Sequence, residues 1–125
     1  EAHLGAASYG AGTGGRSLSW VPDAATPSQG VFTLDGGTPN APVLIGGSAA
    51  FTNEVIAGTS FPLLVSIAPA NLFLQLNATL DAFGQLGAPV SLRQPALAST
   101  VLYYQWAELG ANPGVSNGLQ LLFDQ

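Results

Sequence analysis

His3 is the only histidine and cysteine is absent. A Ser-His-Asp arrangement or a zinc site would therefore have to recruit His3, which lies in a glycine- and alanine-rich segment with little to hold it in place. The seven carboxylates (Glu1, Asp23, Asp35, Glu54, Asp81, Glu108 and Asp124) are spread singly. They form no Asp-x-Asp-x-Asp loop of the kind that binds calcium. Glycoside hydrolysis needs two acids at a defined separation, and no spacing here supports a pair. Asp81-Ala-Phe-Gly84 and Asp35-Gly-Gly37 read as turns rather than ligand sets. Asn77-Ala-Thr79 has the form of a glycosylation sequon, but its first reading is polar residues on the outer face of a strand. Gly12-Thr-Gly14-Gly15 is no phosphate loop, because no strand precedes it and no Lys-Ser/Thr follows. The expectation is a protein that is not an enzyme and has no catalytic residue, metal or cofactor. Binding chemistry remains in the aromatics. Trp20, Tyr103, Tyr104 and Trp106 could form a platform on which a sugar stacks, although neighbours on a strand face opposite sides, so at least half must be core.

The elements that would position these residues are strands. Thr100-Val-Leu-Tyr-Tyr-Gln-Trp-Ala107 alternates, with Val101, Tyr103, Gln105 and Ala107 on one face and Leu102, Tyr104 and Trp106 on the other. Gly110-Ala-Asn-Pro-Gly114 and Ser116-Asn117-Gly118 are turn chemistry, and Gly118-Leu-Gln-Leu-Leu-Phe123 returns, which predicts a long β-hairpin at the centre of the core. Upstream, Ser17–Val21, Val31–Leu34, Pro42–Ile45, the apolar run Phe61–Ile67, and Val90–Arg93 read as strands. Leu72–Leu80 has the cleanest alternation, with Leu72, Leu74, Leu76, Ala78 and Leu80 facing in and Gln75, Asn77 and Thr79 facing out. Residues 53–56 fit a short edge strand or a loop. About eight short strands with regular turn signals and no helical periodicity predict an all-β fold, an antiparallel β-sandwich of Ig-like or jelly-roll-like kind.

Residues 1–15 stand apart as an extended Gly/Ala-rich N-terminal arm, leaving 16–125 as a single β-sandwich domain. The arm has few sizeable side chains, and Gly10-Ala-Gly-Thr-Gly-Gly15 cannot hold a helix. Such an arm either folds back on its own domain or docks on a neighbour. In the second case Leu4 and Tyr9 are its anchors.

Composition narrows the partners. Charged residues are 7% of the chain, against about 25% in an ordinary soluble domain, while apolar residues are 47%. Lysine is absent and the only basic side chains are Arg16 and Arg93, so nothing here can neutralise a nucleic-acid backbone. No apolar run is long enough for a membrane span, because the stretch from Phe61 to Leu80 is broken by Pro62, Pro69, Asn71, Gln75 and Asn77. Methionine is also absent. A chain beginning at Glu1 is therefore expected to be a processed product, with removal of a secretory signal peptide the simplest cause. The expected location is extracellular.

In order, Tyr9-Gly-Ala-Gly12, Leu34-Asp-Gly-Gly-Thr-Pro-Asn-Ala-Pro-Val-Leu44, Thr79-Leu-Asp-Ala-Phe-Gly84, Leu102-Tyr-Tyr-Gln-Trp-Ala107 and Val115-Ser-Asn-Gly-Leu119 form a pattern. It resembles the small, uncharacterised β-sandwich modules of secreted planctomycete-type bacterial proteins, often C-terminal. Their pattern runs YG.G, GAPPGAPALL, TDAAG, LYAQWAVLDP and SNGL. The likeness spans nearly the whole chain, with QWA and SNG its most specific parts. Such modules commonly carry cysteines after the YG start, where this chain has Thr13. The resemblance implies a bacterial, secreted β-sandwich and implies no activity.

Three function classes follow. The first is an extracellular structural subunit that self-associates into a homo-oligomer, as a filament, through its arm adding to or packing on a neighbour's sheet. The alternative is a secreted adhesive or carbohydrate-binding module that meets a surface glycan with exposed aromatics. A passive C-terminal sorting or stalk module is the third.

Overall fold

The structure is a computed structural model that describes residues 3–10, 12–22, 29–55, 61–65, 72–91 and 101–124. Eleven strands and no helix form among these residues: β1 (His3–Tyr9), β2 (Ser17–Pro22), β3 (Gln29–Asp35), β4 (Pro42–Ser48), β5 (Phe51–Val55), β6 (Pro62–Val65), β7 (Leu72–Thr79), β8 (Leu86–Ser91), β9 (Val101–Glu108), β10 (Gly114–Val115) and β11 (Gly118–Asp124). They build one sheet in the order β1-β11-β9-β4-β7, with β10 also on β9, a second sheet β2-β3-β8, and a separate β5-β6 hairpin. All pairings are antiparallel. The fold is an all-β sandwich.

The hairpin at the centre forms as its alternation predicts. β9 lies between β11 and β4, with Leu121 opposite Leu102 and Ile45 opposite Trp106. Leu102, Tyr104 and Trp106 face the second sheet and are buried. There they meet Leu18, Trp20, Phe32 and Leu34 in one apolar cluster. The Phe32 and Tyr104 rings, 4.7 Å apart, join the two sheets. Burial of so many large side chains, each contributing about 1.5–3 kcal/mol, makes this layer the main source of stability.

The strand count exceeds eight because the arm, residues 51–55 and the short β10 between the two arms of the hairpin each supply a strand. The arm itself is β1, paired with its own β11 from His3↔Asp124 to Tyr9↔Gly118. Of residues 53–56, Asn53 to Val55 belong to a strand, β5, that pairs with β6, and Ile56 lies outside the described residues. The strand expected over 90–93 instead begins at Leu86, and Arg93 lies outside the described residues. Pro89 lies inside β8, which among the described residues is an edge strand beside β3 alone, the kind of strand in which proline is tolerated. Along β7, Leu76 shares a face with the core-directed Ile45 but is 42% exposed. β7 is an edge strand among the described residues, and an inward direction there does not secure burial.

Turns behave as read. Asp81 Oδ1 accepts from the Phe83 and Gln85 N–H groups at 2.8 and 2.9 Å, and Gly84 takes φ 75°. Asp35 Oδ1 accepts from Gly36 N at 2.7 Å. Both carboxylates close turns.

Candidate self-association site

β1 carries Leu4 and Tyr9, the side chains expected to anchor the arm on a partner. Its residues His-Leu-Gly-Ala-Ala-Ser-Tyr contain no Asp, Glu, Lys or Arg. Ala7 and Ser8 are exposed. Its backbone pairs along its length with β11, so main-chain hydrogen bonds supply most of its hold.

Two side chains fix its register. The Tyr9 hydroxyl donates to Leu64 O at 2.5 Å, and the ring meets Tyr103 edge-on, with centroids 5.9 Å apart. The same ring lies over Gly118, where a Cβ would come within 2.2 Å of it, so a larger residue there would displace the ring. Half-burial, with Tyr103 adding to it, pushes the Tyr9 phenol pKa well above its ordinary value. Asn117 Nδ2 donates to Ser8 Oγ at 2.8 Å. Tyr9 makes all of these contacts within its own chain. Leu4 pairs with Phe123 through the backbone, and its side chain lies outside the described ones.

Beyond Gly10, whose φ is 67°, the chain is held differently. Thr13 N donates to Val115 O at 2.8 Å, and Val115 N donates to Thr13 Oγ1 at 3.0 Å. Arg16 is buried. It donates from Nη1 to Thr13 O at 2.9 Å, from Nη2 to Asn112 O at 2.8 Å and from Nε to Glu108 Oε1 at 3.1 Å. Thr38 N donates to the same Glu108 oxygen at 2.8 Å, while Oε2 has no hydrogen-bond partner among the described residues. Burial raises the Glu108 pKa, but the Thr38 hydrogen bonds and the Arg16 guanidinium outweigh it and hold the carboxyl below its ordinary range.

Asn117 then ties the two sheets together. Its Oδ1 accepts from Leu18 N at 2.8 Å and its Nδ2 donates to Leu18 O at 3.2 Å. Trp106 Nε1 donates to Ser17 O at 2.9 Å, and Trp106 N donates to Ser116 Oγ at 3.0 Å. On the outer face of β9, Gln105 is buried beneath the β5-β6 hairpin. Its Oε1 accepts from Leu64 N, and its Nε2 donates to Pro62 O and Ser116 O, each at 2.9 Å.

These polar roles were missed in the sequence. Ser116-Asn117-Gly118 reads as a turn, and Glu108 reads as one of several scattered acids. The available signal was scarcity, since in a chain with two basic residues an arginine beside Gly14-Gly15 is an unusual choice for a solvated position.

The aromatic platform does not form. Trp20 is 9% exposed and Tyr104 and Trp106 are fully buried. They face the opposite sheet, where area burial outweighs any surface role. Tyr103 points the other way, half-buried between Tyr9 and Phe51. Among the described residues, no three His, Asp or Glu side chains come together as metal ligands, and no helix is long and apolar enough to cross a membrane. No family model matches the chain, and neither a curated protein nor a solved structure shows a significant match to it.

Proposed function

We propose that this protein is an extracellular structural subunit that self-associates into a filament, its N-terminal strand adding to the sheet of a neighbouring copy. The observation that carries this reading is β1 itself, an uncharged edge strand held chiefly by backbone pairing and joined to the domain through glycines. Sheet edges are ordinarily protected by charge, proline or a covering element. Among the described residues this sheet ends in β1 on one side and β7 on the other, and neither contains a charged residue or proline. Location outside the cell rests on the resemblance to secreted planctomycete-type modules. A glycan platform gains no support, because three of its four aromatics are core.

The test is electron microscopy with light scattering on the full chain and on a chain lacking residues 1–9. The cut stops short of Thr13 because Thr13 and Arg16 are integral to the domain. Regular particles from the full chain and a folded monomer from the shortened one are expected. A shortened chain that still polymerised would remove the arm from the mechanism.

A further inference from the structure

We infer that β1 is an exchangeable strand, which leaves its own β11 and occupies the same place on the β11 of a second copy. This deepens the self-association reading above, on which it rests, by naming the acceptor edge. The seat is specific in shape. Tyr9 lies over Gly118, its hydroxyl reaches Leu64 O, and Asn117 reaches Ser8. Slipping by one residue would turn Tyr9 to the opposite face of the sheet and lose all three contacts.

The boundary between what can move and what cannot is sharp. Thr13 is locked to Val115 from both directions and Arg16 is locked to Glu108. On the other side of the connection, β1 presents exposed Ala7 and Ser8. Gly12 packs on the fixed side, where a Cβ would come within 2.1 Å of Arg16 O, and the connection turns at Gly10, whose φ is 67° and to which a reversed and an extended path are both open. A second copy offers an identical seat, so exchange trades like bonds for like. Its equilibrium is then set by protein concentration against the effective concentration of the tethered strand, on the order of millimolar for a short linker. Residues 10–12 span at most about 10 Å, so the acceptor must lie close to the donor. Passed head to tail, this contact builds an open chain of subunits.

Ala7 and Gln120 are cross-strand partners, and the chain has no cysteine to confuse the result. Full-length A7C/Q120C is assembled, treated with a short bismaleimide and run on a denaturing gel. A ladder of covalent multimers carrying the 7–120 link is expected. Particles visible by microscopy whose 7–120 links are all within one chain would overturn the exchange while leaving self-association intact. An absence of particles from the native chain would instead overturn both. Should the double variant fail to fold, A7C and Q120C chains are mixed before assembly. A 7–120 link between them is the product expected of exchange, and its absence from assembled particles overturns the inference.

Discussion

Residues 3–9 and 13–18 are separated only by 10–12, yet different forces hold them. The second segment is fixed by buried side chains: an arginine–glutamate pair, a threonine clasp, and an asparagine that satisfies both backbone groups of Leu18. The first is fixed by a backbone ladder, one hydroxyl and one amide. A buried polar network leaves an uncompensated group when any member is removed, so it locks position. A backbone ladder has no such exclusivity, since any strand edge in register can supply the same bonds. The contrast teaches where this molecule can open.

Breaking the locked side should have the largest effect. Glu108→Ala leaves the Arg16 guanidinium buried with its charge uncompensated, and should lower stability by about 3–5 kcal/mol, read as a shift of the urea midpoint. Asn117→Ala removes the partner of both Leu18 N and Leu18 O. It should cost about 2–3 kcal/mol by the same measurement.

The two sides should also separate by pH. The folded Glu108 carboxyl titrates below its ordinary value of 4.5, so the unfolded chain binds the proton more readily. Its contribution is full above about pH 4.5 and is lost as the pH falls through the lower folded value. At the alkaline end, burial raises the Tyr9 phenol of β1, and with it the core Tyr104 phenol, above the ordinary 10.0. That contribution is full below pH 10 and falls as the pH rises further. Thermal melts from pH 3 to 11 should show both flanks, and Glu108→Gln should flatten the acid one.

The smallest effect should fall on β1. Tyr9→Phe removes only the bond to Leu64 O, worth about 1 kcal/mol. Hydrogen exchange should speed up in residues 3–9 while the amides of β9 keep their protection. Equal loosening of both would erase the contrast between the segments.

Much of the fold was legible in the residues. The faces of β9 follow from strict alternation of Leu102, Tyr104 and Trp106 with their neighbours, because a strand has only two sides. Turn positions follow from Asp81 and Gly84, whose chemistry acts within a few residues. The polar site was not legible. Arg16 and Glu108 are far apart in the chain, and only the crossing of β2 over the end of β9 brings them into contact. Trp20 and Trp106 look the same in sequence whether they line a surface or a core, and packing of the second sheet decided it.

By itself, then, the sequence determined an antiparallel, nearly uncharged β-sandwich with a glycine-jointed N-terminal segment, because strand period and turn preference are local properties. Tertiary structure decided which strands share a sheet, that the β2-β3-β8 sheet buries the aromatics, and that β1 seats on β11 over Gly118. Those outcomes depend on the pairing of distant backbone edges, and neither local pattern nor composition specifies which edge meets which.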